Sequence, residues 1–184
     1  MLDPPFDGWD KLWGRISIKK SGTTENGSVY CHASMFKACS DAVRKDGDAA
    51  YDTIRKTLPT NPDNPPEINL QLPTYVSNYY YSLKGSPNYG RSSCHYGTGP
   101  VAWLLLVIVE ELLGIKATTK GLMVAPNIPK NWEKVICIRK FREATYHVSI
   151  IKGEDGVKVD GVEYHETYMP YEPGKVYFVE VGCN

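Results

Sequence analysis

The sequence predicts an α+β fold in which helices and strands occupy separate parts of the chain. Residues 29–58 and 98–114 place apolar side chains at helical spacing or in a continuous run. Residues 121–181 instead break into short β-branched and aromatic segments separated by Gly, Pro, Asn and Asp. Helices followed by strands indicate two segregated parts, with the switch between Lys116 and Lys120. The third observation is the apolar stretch Val101–Val109, which as a helix needs burial on every side. Three or four helices cannot surround it, so residues 1–115 are expected to belong to a larger helical assembly. Residues 116–184 are expected to form a small antiparallel, sandwich-like β domain.

In chain order, residues 1–27 read as loop, with Arg15–Lys19 alternating enough for a short strand. Val29, Ala33, Phe36 and Val43 mark one face of a helix over 29–45, which Gly47 ends. Asp48 then caps a second helix, Ala49–Leu58, and Pro59 stops it. The two make an αα-hairpin about Lys45-Asp46-Gly47. Residues 59–74 hold five prolines and form a long ordered loop. Tyr75–Leu83 is aromatic and ambiguous between helix and strand; the expected state is helix. Further on, Pro100 suits the first position of a helix, with Thr98 or Gly99 as N-cap and Gly114 as the C′ residue. The expected strands are Gly121–Val124, Lys134–Phe141, Thr145–Ile151, Val157–Val162 and Lys175–Val181. Glu154-Asp155-Gly156 is expected to make a hairpin turn between two of them.

Acidic and basic residues balance at 21 each, so electrostatic capture of nucleic acid or of an anionic membrane is not expected. Val101–Val109 is too short to span a bilayer, and the first residues lack the basic-then-apolar order of a secretory signal. Five cysteines without compact spacing favour reduced thiols and a cytoplasmic location. Thirteen tyrosines and four tryptophans suit a protein that handles sugars, and equally suit ordinary core use.

The chemistry-bearing stretch is His95-Tyr96-Gly97-Thr98-Gly99-Pro100. A Gly-Thr-Gly turn opening a helix offers free N–H groups and the positive end of the helix dipole to an anion. The same turn can also do no more than start a core helix. Cys31-His32 and Cys94-His95 do not make a convincing zinc site. Neighbouring residues point in different directions, and the pairs lack the short spacing of zinc motifs. No metal and no cofactor is expected.

Two segments carry a resemblance. Glu25-Asn26-Gly27-Ser28-Val29-Tyr30-Cys31-His32 resembles the E-N-G-G-[IV]-[FY]-C-H segment of glycoside hydrolase family 94, the inverting disaccharide and oligosaccharide phosphorylases and the related cyclic β-1,2-glucan synthases. Thr98-Gly99-Pro100-Val101-Ala102-Trp103, closing with Leu112-Leu113-Gly114-Ile115, resembles that family's T-G-T-x-x-W followed by an apolar helix. Gly121 to Pro129 is similar to its G-L-x-[IV]-x-P-x-[IL]-P. The resemblance runs in order from about residue 3 to 150.

It implies that residues 1–115 are the C-terminal part of an (α/α)₆ catalytic barrel and 116–184 the β domain that follows. It also implies cleavage of β-linked gluco-oligosaccharides by inorganic phosphate, the co-substrate, giving an α-sugar 1-phosphate. By similarity, His32, Thr98 and Gly99 hold the phosphate, while Glu25 and Asn78 contact the sugar. An imidazole, a hydroxyl and a backbone N–H are all donors to phosphate oxygens. The general acid of the family lies upstream of every segment present, so no catalytic residue is nominated, and Asp3, Asp7 and Asp10 do not qualify. The chain is thus expected to be inactive alone, partnered by an N-terminal catalytic chain or by a second copy. Two other readings use the same residues: a non-catalytic carbohydrate- or phosphate-binding module, and an inverting hydrolase that activates water. Pro100 stands where the family commonly has Thr, which removes a hydroxyl and an N–H from the anion turn.

Overall fold

The structure is a computed structural model describing residues 2–93 and 98–183, with Thr98 described by its backbone alone. Cys94, His95, Tyr96 and Gly97, singled out above, lie outside the described residues. The chain divides into two compact units. One comprises Met1–Ser40 with Ala50–Leu105, the other Asp41–Ala49 with Leu106–Asn184. Mixed α+β content agrees with the sequence; the structure does not show a barrel.

In the first unit the alternating Arg15–Lys19 stretch is not a strand, because a 3₁₀ turn occupies Gly14–Ile16. Ser17 accounts for this: its buried hydroxyl donates to the Gly14 carbonyl at 2.7 Å, closing the turn. Strand β1 (Val29–Tyr30) runs straight into helix α1 (Cys31–Val43), and helix α2 (Gly47–Thr57) folds back so that Lys37 donates to the Thr53 hydroxyl at 2.9 Å. Met35, Ala38, Ala50 and Ile54 are buried.

The proline-rich stretch contains a four-residue helix, α3 (Pro66–Asn69). It is ordered by Asn69, whose buried amide donates to the carbonyls of Pro59 and Asn64. Tyr75–Leu83 does not form the expected helix. Strand β2 (Tyr79–Tyr80) pairs antiparallel with β1, Val29 facing Tyr80 and Tyr30 facing Tyr79. A run of tyrosines suits a half-buried pleated surface better than a helix once a partner strand is present.

Helix α4 (Thr98–Leu106) begins earlier than expected, so Thr98 and Gly99 lie in its first turn rather than at its cap. Pro100 is tolerated there because the first four N–H groups of a helix have no internal acceptor. Val101 and Leu105 are exposed at 39% and 58%, so the apolar run is not buried all round within this chain.

In the second unit, residues 41–49 correct the expected hairpin. Lys45, with φ +66°, takes the left-handed position after α1, and Gly47 begins α2 instead of ending α1. Asp46, not Asp48, caps α2, accepting from the Ala49 N–H at 2.9 Å. Asp48 instead accepts from the Lys130 N–H at 2.8 Å. A π-helical segment (Val107–Leu112) leads to Gly114, whose φ of +67° fits the expected C′ role. A Cβ there would lie 1.9 Å from the Ala125 carbonyl oxygen. Strands β3 (Ile115–Ala117) and β4 (Leu122–Val124) form an antiparallel pair.

The remaining strands are β5 (Lys134–Phe141), β6 (Ala144–Lys152), β7 (Val157–Val159), β8 (Val162–Glu163) and β9 (Val176–Cys183), in the order β5-β6-β9-β7-β8. The sheet is mixed, not antiparallel throughout, since β6 and β9 run parallel. Glu154-Asp155-Gly156 is therefore no hairpin turn. It carries the chain across the end of β9, where Gly182 gives it room: a Cβ on Gly182 would meet the Glu154 carbonyl oxygen at 2.3 Å. The hairpins lie elsewhere, at Arg142-Glu143 and at Asp160-Gly161, which divides the single strand expected over 157–162. Tyr146, Val148 and Ile150 of β6 and Tyr177, Val179 and Val181 of β9 pack one face of the sheet with Ile115, Leu122 and Ile128. No helix among the described residues is long and apolar enough to cross a membrane.

Candidate anion and sugar site

The site is built where two helices of the first unit begin. β1 delivers the chain into α1, and the Cys31 N–H donates to the Asn78 carbonyl at 2.9 Å, fixing the start of α1 beside residue 78. His32 follows in the first turn. Its ring lies 4.6 Å from that of Phe36, one helical turn on, and 6.4 Å from that of Tyr30. Phe36 in turn meets Trp103 of α4 edge-on at 4.8 Å. Helical spacing explains the stack: residues 32 and 36 share a face, as do 99 and 103.

Gly99 completes the seat. A Cβ at this position would stand 2.8 Å from both Cε1 and Nδ1 of His32, so the imidazole rests against a helix turn that only glycine leaves open. Nε2 of His32 is buried and has no hydrogen-bond partner among the described residues. The Gly99 N–H belongs to the first turn of α4, where no internal carbonyl can accept it. The Nδ1–Cε1 edge of the ring thus lies against a donor-rich helix start, while the buried Nε2 of the same ring has no partner among the described residues. The structure brings together His32, Gly99 and the backbone of Thr98; the hydroxyl of Thr98 is outside the described atoms.

Glu25 and Asn78 stand differently. Glu25 sits on a turn held by Asn26, whose fully buried amide accepts from the Phe6 N–H at 2.8 Å and donates to the carbonyls of Phe6 and Lys19. The Glu25 carboxylate is paired with the Lys19 ammonium, which holds its pKa below the usual glutamate range. No hydrogen bond or ring contact joins Glu25 to His32 or Gly99 among the described residues. Asn78 reaches the site through its main-chain carbonyl. Sequence reasoning missed Asn26 as the clamp of this turn and Phe36 with Trp103 as the support of His32. The signals were available: an Asn before Gly in a loop, and aromatics one turn from each site residue.

Cys31 is buried beneath the site, and burial pushes its thiol up to about 12, so it is no nucleophile at neutral pH. Among the described residues no group of three or more His, Cys, Asp or Glu is placed to hold a metal ion.

Residues 1–114 match the model of the glycosyl hydrolase 94 superfamily, catalytic domain. The chain belongs to this superfamily. Among its relatives, 3-O-β-D-glucopyranosyl-β-D-glucuronide phosphorylase of Paenibacillus borealis is 50% identical over 187 residues, covering 98% of this chain and 24% of that protein. Cellobionic acid phosphorylase of Neurospora crassa is 34% identical over 98% of this chain and 24% of its own length. Solabiose phosphorylase of Paenibacillus borealis is 29% identical with the same coverage, 98% and 24%. The chain thus spans 24% of the length of each of these relatives. Its relation to the superfamily's glycoside phosphorylases holds over that fraction. The match ends at residue 114, the glycine that closes the helical segment following the site.

Proposed function

We propose that this chain supplies the phosphate-holding part of an inverting glycoside phosphorylase. The observation that carries the reading is the His32–Gly99 seat, an imidazole packed against a helix start whose buried Nε2 has no partner among the described residues. In this reading inorganic phosphate takes the imidazole N–H and the first-turn amides of α4 as donors, together with Thr98, whose hydroxyl is a donor of the same kind. Held there, a phosphate oxygen attacks the anomeric carbon from the face opposite the glycosidic oxygen. The C1–O bond breaks, the leaving oxygen takes a proton, and an α-sugar 1-phosphate and a shortened sugar result. Phosphate is already an anionic nucleophile and needs positioning more than a base. The proton donor is supplied from another part of the catalytic domain, since no residue of the seat is an acid.

Glu25 and Asn78 contact the sugar in this reading. Two relatives above 30% identity are named for a glucuronide and for cellobionic acid, so the favoured substrate is a β-glucoside of an acidic sugar. Lys19, paired with Glu25, is a cation next to that contact.

Phosphate titration of the 184-residue chain tests the seat: saturable binding is expected, lost in His32→Ala. The chemistry is tested together with the remainder of a family catalytic domain, by supplying cellobionic acid or cellobiose with and without phosphate. Phosphate-dependent sugar 1-phosphate, faster from the acid, is the expected product. Free glucose without phosphate identifies a hydrolase instead, and absence of phosphate binding ends the reading.

A further inference from the structure

We infer that the first unit carries a second sugar-binding cleft, one that takes a neutral pyranose unit of an oligosaccharide and is separate from the phosphate seat. The cleft encloses about 310 Å³ between the proline-rich loop and the segment 80–90. That volume lies at the lower end of the range for small-ligand clefts, about 300–1,000 Å³. Its separateness follows from its lining, which includes none of His32, Gly99, Glu25 and Asn78. Val29 and Tyr80, paired across β1 and β2, line it, and Tyr81 joins them with its ring against that of Tyr79.

The walls are fixed by main-chain ties. Tyr81 exchanges hydrogen bonds with the Gly90 N–H at 2.8 Å and the Arg91 carbonyl at 3.0 Å. Asn64 donates to the Gly90 carbonyl at 2.8 Å, and its approach needs a residue without a Cβ at position 90. The Tyr80 hydroxyl donates to the Thr57 carbonyl at 3.0 Å, tying the same wall to α2. Preformed walls reduce the ordering cost of binding.

The lining decides the ligand class. Tyr81 and Tyr89 present aromatic rings, the latter half exposed, and such rings accept the C–H face of a pyranose. Lys56 is paired with Asp52 at 2.6 Å. That leaves the Asp63 carboxylate and the Lys84 ammonium, which make no side-chain bond among the described residues. One negative and one positive group give no net pull on an anion or a cation, yet both bond sugar hydroxyls. A phosphate or a basic peptide would find one of the two charges against it.

The inference does not rest on the phosphorylase reading. The test is calorimetric titration of the 184-residue chain with cellotetraose, using Tyr89→Ala and Asp63→Asn in the cleft and Val162→Thr, an exposed position outside it, as the control. Each cleft variant is expected to raise Kd about tenfold, while Val162→Thr leaves it unchanged. Circular dichroism of each variant verifies that the fold is kept, and the two cleft substitutions provide independent readings. No binding of cellotetraose by the wild type, unchanged affinity in both cleft variants, or an equal loss in Val162→Thr overturns the inference.

Discussion

Gly99→Ala is the sharpest perturbation of the site. The added methyl carbon would stand 2.8 Å from Cε1 and Nδ1 of His32 and 3.1 Å from Cγ. Carbon contacts settle near 3.5 Å or beyond, so the ring must retreat by about 0.7 Å or more. Overpacking of this kind costs about 1–3 kcal/mol. Alanine returns close to 1 kcal/mol of helix propensity, because position 99 is helical and free of a positive φ. The net loss of stability is therefore expected at about 0–2 kcal/mol, which a folded domain survives. The functional loss is expected to be larger, since a displacement approaching 1 Å at a positioned group costs about 10²-fold. The assay pairs urea unfolding with a phosphate titration read through the ¹⁵N shifts of the His32 ring. An intact fold with unchanged His32 shifts and unchanged phosphate affinity would refute the account of the seat.

His32→Phe should keep or raise Tm, because it removes a buried nitrogen that has no partner among the described residues and costs about 1–3 kcal/mol, and should abolish the Tm increase that phosphate gives the wild type. Lys19→Met should remove an acid-dependent part of stability: with the Glu25 pKa depressed, that part is present above the ordinary glutamate pKa of about 4.3 and lost as pH falls through the lower folded value. Both side chains are partly exposed, so the difference in unfolding free energy between pH 6 and pH 3 should not exceed about 1 kcal/mol. Leu105→Lys should change urea stability by less than about 0.5 kcal/mol, whereas Leu112→Ala, at a fully buried position, should cost about 2–5 kcal/mol.

The division into helices and then strands was legible because it rests on period and composition, and β5 was expected at the bounds where it occurs. What failed were local choices settled by distant partners. Tyr79 and Tyr80 became a strand because Val29 and Tyr30 lie opposite, a pairing 50 residues apart that no local window contains. The Glu154–Gly156 turn has hairpin chemistry, yet β9 enters between β6 and β7 from residues 176–183, and only Gly182 hints that another backbone crosses there. The αα-hairpin was legible while its caps were not, since Lys45 accepted the left-handed conformation usually left to glycine. At the site, the pairing of His32 with Gly99 came from motif order, and the Phe36–Trp103 support was hidden among residues that any core helix would carry.

The energetics of His32 decide between an ordinary packed histidine and a ligand-bearing one. A histidine kept only for packing either finds a carbonyl for each ring nitrogen or gives way to phenylalanine, which fills similar space without a desolvated donor. Here the ring is wedged by Phe36 and the open turn at Gly99, while Nε2 is sealed from water without a partner among the described residues. Left so, it costs about 1–3 kcal/mol, and a charge-assisted hydrogen bond to a phosphate oxygen would return about 1.5–3 kcal/mol. The two amounts are comparable, so a phosphate bond would offset the cost of burying this nitrogen. That balance fits a binding group better than a packing group, and it requires the phosphate-dependent Tm increase to vanish in His32→Phe even though the variant itself is no less stable.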